Sequence, residues 1–258
     1  MVPTLVFDIE TIPDVKGLRA LFDLDAALTD DQVAAHAFAA RKEKIGSEFL
    51  PHTQQCVCAI SCVLREGDDK LAVWSLGEPT DDEPTLIKKF FGLIDRYTPQ
   101  LVSWNGGGFD LPVLHYRAMV HGITASRYWD WGDDDRDFKW NSYVSRYHTR
   151  HLDLMDVLAM FQPRAFAALD DMAKLCGLPG KLGMDGSQVW PAFQRGEIGN
   201  IRDYCETDVV NTYLLYLRFM LLRGTLHGDS HAAEVARVRE RLSALPGAQW
   251  KAYLAAWK

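Results

Sequence analysis

No run of eighteen consecutive apolar residues occurs anywhere in the 258 residues, so no membrane-crossing helix is expected. The N-terminus, Met1-Val2-Pro3-Thr4-Leu5, lacks a basic segment followed by an apolar stretch, so it does not read as a secretory signal. Cysteine is sparse and odd in number, five in all, which argues against a disulfide framework and for a reducing, cytoplasmic setting. Basic residues are in deficit: 28 Lys and Arg face 35 acids, giving a net charge of −7 and a pI near 5.6. That is the wrong sign for gripping nucleic acid through bulk positive charge. Glu is scarce as well, 10 against 25 Asp, and Asp is the acid of turns, caps and metal ligation. What is present is apolar content, 48%, enough for a real core and too much for a disordered chain.

Cys56, Cys58 and Cys62 sit at even spacing in a β-prone segment, which predicts one strand face carrying three thiols as small apolar packing groups. The paired Cys-x-x-Cys spacing of a zinc site is absent.

The pattern along the chain predicts an α/β domain. A short strand over Thr4 to Phe7 ends in Asp8-Ile9-Glu10, and Thr29 with Gln32 forms a capping box for a helix to about Lys44. Strands at 56–64 and 71–76 are joined by Glu66-Gly67-Asp68-Asp69 as a hairpin. Asp82 caps a helix to about Arg96, Leu101 to Trp104 is a strand, and a helix stops at Gly122. Residues 126–150 have no clear period and read as a loop-rich insertion. His151 to Leu154 is a last strand, and the longest helix runs roughly from Asn200 to Arg223. Helical crossovers between strands imply a mixed sheet covered by helices, with ligands at the carboxyl ends of its parallel strands. With no repeat and no Ser- or Gly-rich linker, residues 1–258 are expected to form one domain.

Three acidic pieces fall near those strand ends. Asp8 and Glu10, two apart in an extended segment, leave on one face and repel unless a cation lies between them. Asn105-Gly106-Gly107-Gly108-Phe109-Asp110 follows a strand, and its glycines allow unusual backbone angles and close approach; it lacks the Gly-x-Gly-x-x-Gly spacing of a dinucleotide loop. Tyr204 and Asp208 share a helix face, where a buried Asp needs a partner or a metal. Each piece alone also has a plain reading: a solvated strand end, a turn with a helix cap, a surface acid beside a phenol.

Together they resemble the DEDDy 3′–5′ exonucleases of the ribonuclease H-like fold, among which the proofreading exonuclease domain of family B DNA polymerases and its stand-alone relatives are the nearest match. The resemblance rests on Phe7-Asp8-Ile9-Glu10-Thr11, on Asn105 through Phe109-Asp110, and on Tyr204 with Asp208, in order and over about residues 4–222. The sister branch places His five residues before the last Asp; here that position is Asp203. The resemblance implies a mixed five-stranded sheet with helices on both faces and a C-terminal helical extension at about 225–258.

It also implies a site. Asp8, Glu10, Asp110 and Asp208 would hold two divalent cations, Mg2+ or Mn2+, roughly 4 Å apart. By similarity Asp8 bridges both, Glu10 and Asp208 serve the ion that activates water, and Asp110 serves the other. Tyr204 orients the water, since a phenol near its ordinary pKa of about 10 is a poor base. Thr11, Asn105 and Phe109 contact substrate, Phe109 as a stacking ring. The implied activity is hydrolysis from the 3′ end of a single strand, most of all DNA, in settings such as DNA repair. RNA trimming, or a non-catalytic nucleic-acid-binding role within a repair complex, are the alternatives. Only 50 residues follow Asp208, so no synthesis is expected of this chain.

The remaining acids read otherwise: Asp153 and Asp156 as structural or supporting groups, Asp170 and Asp171 as a solvated helix face, and Asp133 to Asp137 as an exposed loop. From Lys139 to His151 the bases and rings (Lys139, Trp140, Tyr143, Arg146, Tyr147, His148, Arg150) suit either single-strand binding or local packing. The long segment 11–55 could cover a substrate groove or simply pack on the sheet.

Overall fold

The computed structural model describes residues 2–258. Strand β1 (Thr4–Pro13) is followed by helices α1 (Val15–Phe22) and α2 (Asp30–Ile45), then by the hairpin β2 (Gln55–Glu66) and β3 (Lys70–Ser75). Helix α3 (Glu83–Tyr97), strand β4 (Gln100–Ser103), helix α4 (Asp110–His121) and strand β5 (His151–Asp153) complete the sheet. Helices α5 (Leu154–Leu158), α6 (Leu169–Leu175), α7 (Val189–Gln194), α8 (Ile198–Leu222), α9 (Gly228–Ala244) and α10 (Ala248–Ala256) close the chain. The strands are ordered β3-β2-β1-β4-β5, with β1 antiparallel to β2 and parallel to β4, and β4 parallel to β5. This is the mixed five-stranded sheet expected.

Each face of the sheet carries its own core. Strand alternation sends Leu5, Phe7 and Ile9 toward α3 and α4, where Phe90, Phe91 and Ile94 are buried. Asp82 caps α3 by accepting from the Thr85 amide, and its stripe of five buried apolar residues is what fixes it to the sheet. The opposite face packs Val6, Val63 and Val102 against Val209, Val210 and Tyr213 of α8, with Trp250 and Tyr253 of α10 behind them. Among the described residues no helix is long and apolar enough to cross a membrane.

Two expectations about strands need correction. First, β1 does not end at Glu10 but continues to Pro13, because β2 pairs with it along its whole length. Only the β4 side stops, at Val6. Asp8 and Glu10 therefore lie mid-strand, where one neighbour has fallen away. Second, the three cysteines do not share a face. Glu10 pairs with Ala59 and Thr11 with Val57, so Cys58 is an extra residue, a β-bulge. The bulge inverts the alternation: Cys62 packs with the α3 and α4 core, whereas Cys56 and Cys58 pack beside Ile12, Ala59 and Val189.

Candidate active site

The site grows from that half-vacated strand. Beyond Val6 the β4-facing edge of β1 has no strand partner, and the Ile9 amide is taken instead by Oδ1 of Asp110 at 3.1 Å. Asp110 opens α4 but does not cap it, since Phe109 occupies the cap position without a side-chain bond. The same contact that completes the backbone of β1 thus draws the third carboxyl to the first two. Asp8 and Glu10 point with Val6 toward α8, where Tyr204, Cys205 and Asp208 are all buried. Ligand atoms of Asp8, Glu10 and Cys205 come within 4.8 Å of one another. The Cys205 thiol donates to the Asp8 carbonyl at 3.4 Å and to Oδ2 at 3.5 Å, and burial among carboxylates pushes its pKa up, which makes it a donor to the acids and a poor ligand. Glu206 turns away, held by Ser75 at 2.8 Å.

The Gly-rich turn meets one half of the expectation, close approach, and departs from the other, unusual glycine backbone angles. The left-handed residue is Asn105, at φ 66°, and none of Gly106, Gly107 or Gly108 has positive φ. The glycines serve space instead: a Cβ on Gly106 would lie 2.5 Å from Ser103 Cβ, and one on Gly108 would collide with Asn105 Oδ1. Asp153 fastens the turn, accepting from the amides of Asn105 at 2.9 Å and Gly107 at 2.8 Å, and it caps α5 as well. It is a supporting group with its lone pairs already used.

Asp208 is the carboxyl of the cluster that is short of donors. Asp208 is 4% exposed; its Oδ1 has no hydrogen-bond partner and its Oδ2 lies 3.5 Å from Lys181 Nζ. Burial first, then mutual repulsion, raises the pKa of Asp8 and of Glu10 well above the ordinary carboxylate range. Burial raises Asp208 too, against the pull of Lys181, and pushes Asp110 up to about 7 against the amides it accepts from. Tyr204 is buried and flanked by Asp208, Glu10 and Asp8, so its phenol is held neutral, far above its usual titration range.

Lys181 was invisible to motif reading. It lies in the loop between α6 and α7, and its Nζ reaches the Tyr204 hydroxyl at 2.5 Å. That loop is pinned by Asp170, which accepts from the Lys181 amide at 2.8 Å, and by Asn211 of α8, which donates to Gly180 O at 3.0 Å. Asp170 is therefore a tether, not the solvated face expected; Lys174 holds it from the other side at 2.6 Å. Its helix position gave no sign of this, because the contact is made eleven residues on.

Of the expected substrate contacts, Phe109 is half-buried at the mouth of the site, and Thr11 Oγ1 donates to Gln55 Oε1 at 2.9 Å. In the 139–151 stretch the Arg150 guanidinium stacks 4.0 Å from the Phe138 centroid and Arg146 pairs with Asp156 at 2.8 Å, which are local packing contacts, whereas Trp140 and Tyr147 are 83% and 73% exposed.

A mixed five-stranded sheet in the order β3-β2-β1-β4-β5, flanked by helices, is the arrangement of a ribonuclease H-like α/β fold. Residues 47–257 match a family of predicted 3′–5′ exonucleases related to the exonuclease domain of PolB. The chain belongs to that family; the matched residues include Asp110, Tyr204 and Asp208 and begin after Asp8 and Glu10. It is similar to a DNA polymerase of Archaeoglobus fulgidus, 24% identical over 176 residues, covering 67% of this chain and 21% of the polymerase. It is also similar to the catalytic polypeptide of DNA polymerase epsilon from Saccharomyces cerevisiae, 24% identical over 147 residues, 54% of this chain and 6% of that polypeptide. The family B DNA polymerase of the archaeon Pyrobaculum calidifontis shares the fold, with a TM-score of 0.51 at 18% identity over 86% of this chain and 25% of that one. The chain thus spans about a fifth or less of the curated relatives.

Proposed function

We propose that the chain is a metal-dependent 3′–5′ exonuclease acting on the end of single-stranded nucleic acid, with DNA as the favoured substrate. The observation that carries the reading is the unpartnered Oδ1 of buried Asp208 among carboxyls that all titrate high. A buried acid without donors is costly, and hard divalent cations with oxygen ligands are what relieve it. All-carboxylate donors fit Mg2+ or Mn2+ and not zinc. Asp8, Glu10, Asp110 and Asp208 would hold two such ions, which supply charge to acidify a water and to neutralise the phosphate oxygens.

The chain's own groups do the rest. Tyr204, kept neutral, offers its hydroxyl to orient a water, and Lys181 fixes that hydroxyl from behind. Half-buried Phe109 would provide a ring for a base, and by similarity Glu10 would contact a terminal 3′-hydroxyl. The likeness to DNA polymerases favours DNA over RNA. We also take residues 1–258 as one domain, since α9 and α10 place Val238, Leu242, Trp250, Tyr253 and Trp257 in the same core as Val6 and Val102. A cytoplasmic setting is consistent with the five free thiols.

The test uses 5′-labelled single-stranded DNA and RNA of one sequence with Mg2+, Mn2+ or chelator, beside an Asp8→Ala control. Stepwise shortening that requires metal and Asp8 is the expected result. Absence of degradation of either strand with every metal would overturn the reading.

A further inference from the structure

Arg218 lies ten residues beyond Asp208 on α8, about 15 Å at the rise of an α-helix. There a cavity of about 360 Å³ opens between α8, α9 and the ends of α6 and α10. Leu178, Leu214 and Val235 give it apolar walls, and none of the four acids of the candidate site touches it. Its polar lining is of one sign: Arg218, Arg239 and Lys258 line it, and no Asp or Glu side chain does. Glu234 of α9 is held elsewhere, by Arg65 at 2.7 Å and Arg237 at 3.5 Å. The other acids of α9, Asp229 and Glu240, are exposed and form no part of the lining.

Two of the lining groups are set for a ligand. The Arg239 guanidinium lies 3.9 Å over the centroid of the Trp257 ring, and its Nη2 donates to the backbone oxygen of Lys258 at 3.3 Å. A cation ordered in this way loses little freedom when it takes an anion. His231 is 8% exposed, and its Nε2 has no hydrogen-bond partner. A buried polar atom without a partner is uncommon and costly, and this one lines the cavity. Burial, then the charge of Arg218, holds its imidazole below the usual pKa, so a neutral ring stands close to that guanidinium.

The charges select the ligand. With the backbone oxygen of Lys258 set against them, the three cations keep an excess of two. A carboxylate or a phosphodiester brings a single negative charge, whereas a phosphate monoester brings nearly two, with three acceptor oxygens for guanidinium and imidazole donors. The cavity is larger than a bare phosphate needs, and its apolar walls suit an apolar-faced body beside the anion.

We propose that this cavity is a site for a nucleoside monophosphate, separate from the acid cluster. Arg218, Arg239 and His231 take the phosphate, and Leu178, Leu214 and Val235 take the base. The phosphate monoester follows from the lining. The nucleoside as its body rests on the exonuclease reading, because hydrolysis that leaves a new 3′-hydroxyl on the strand releases a nucleoside 5′-monophosphate.

Titration calorimetry with deoxyadenosine 5′-monophosphate in chelator tests the site, since without metal the acid cluster repels a phosphate. One nucleotide should bind per wild-type chain, and Asp8→Ala should bind it equally. Arg218→Ala should weaken binding at least about 10-fold, the loss expected for one charge-assisted contact. Arg218 is exposed, so unliganded R218A should unfold at the wild-type temperature, which separates a lost contact from a lost fold. Deoxyadenosine and inorganic phosphate, each one half of the ligand, should bind at least about 10-fold more weakly than the nucleotide. No binding of the nucleotide to the wild type, undiminished binding by R218A, or binding lost in D8A would overturn the site. Deoxyadenosine or phosphate binding as tightly as the nucleotide would overturn the choice of ligand. A wild type that binds the nucleotide yet degrades no strand with any metal would overturn the exonuclease reading and leave the site standing.

Discussion

Asp130 and Asp208 are the same residue, 5% and 4% exposed, yet their surroundings drive them in opposite directions. Asp130 lies in the acidic 130–137 loop, the densest run of Asp in the chain. Its Oδ1 accepts from the amides of Gly132 at 2.7 Å, Asp133 at 3.1 Å and Asp134 at 3.4 Å, and its Oδ2 from that of Asp135 at 3.0 Å. Desolvation opposes its charge, but these amides outweigh it and hold the pKa below the usual range. Asp208 has one lysine at 3.5 Å, an empty Oδ1 and a raised pKa. The lesson is that density of acid in a sequence does not mark a site. A shortage of donors around buried acid does, because that shortage is what a cation makes good.

The sharpest way to break this comparison is to remove one acid from each region. Asp208→Ala should lower hydrolysis of single-stranded DNA by at least about 10³-fold, as expected when a group acting as part of a unit is lost. Asp130→Asn should leave the rate within about 2-fold and lower Tm instead, as read by calorimetry, because four amides lose a charged acceptor. Equal loss of activity in both variants would erase the distinction.

The two regions should also titrate oppositely in chelator. Asp110, raised from its ordinary 3.8 to about 7, favours the folded state when protonated. Its contribution is fully present below the unfolded value and is lost as pH rises through about 7. Asp110→Asn keeps an acceptor for the Ile9 amide while removing the charge, so it should stabilise the metal-free protein at pH 8, on the order of 4 kcal/mol, and hardly at all at pH 4. Asp130, lowered, works the other way: its contribution is present at neutral pH and is lost as the pH falls below the ordinary carboxylate value. Denaturant melts of D110N between pH 4 and pH 8, and of D130N from pH 7 down to pH 2, check both signs.

A third contrast is with metal. Mn2+ at about 100 times its Kd should stabilise the wild type by about 2.7 kcal/mol, or roughly 5–10 °C in Tm, and D130N equally, but not Asp208→Asn. The smallest effect is expected at Lys181, which touches the site only through Tyr204 and Asp208. Lys181→Met should cost about 10-fold in kcat, the range seen when a partner of a key group is removed, with little change in KM.

How much of this the sequence made legible follows from how local each feature is. Caps at Thr29 and Asp82, the β2–β3 hairpin and the helix stop at Gly122 are written in a few adjacent residues, and they stand where read. The acids were legible as motifs because each piece is short. What failed was set by distant partners. The end of pairing at Val6 belongs to β4, and the inversion of the cysteines belongs to the register of β2 on β1. Of the two properties expected of the three glycines, close approach is theirs, against Ser103 and Asp153, while the left-handed backbone angle falls on Asn105. Lys181 has no local signature at all; Asp170 and Asn211 bring it in from 23 residues before Tyr204.

The central claim is that the donor-poor acids are a cation site, and titration calorimetry with Mn2+ tests it most directly. The account predicts two ions bound per wild-type chain, the same for D130N, and binding lost or reduced to one in Asp8→Ala. No binding to the wild type, or an undiminished two ions in D8A, would contradict it.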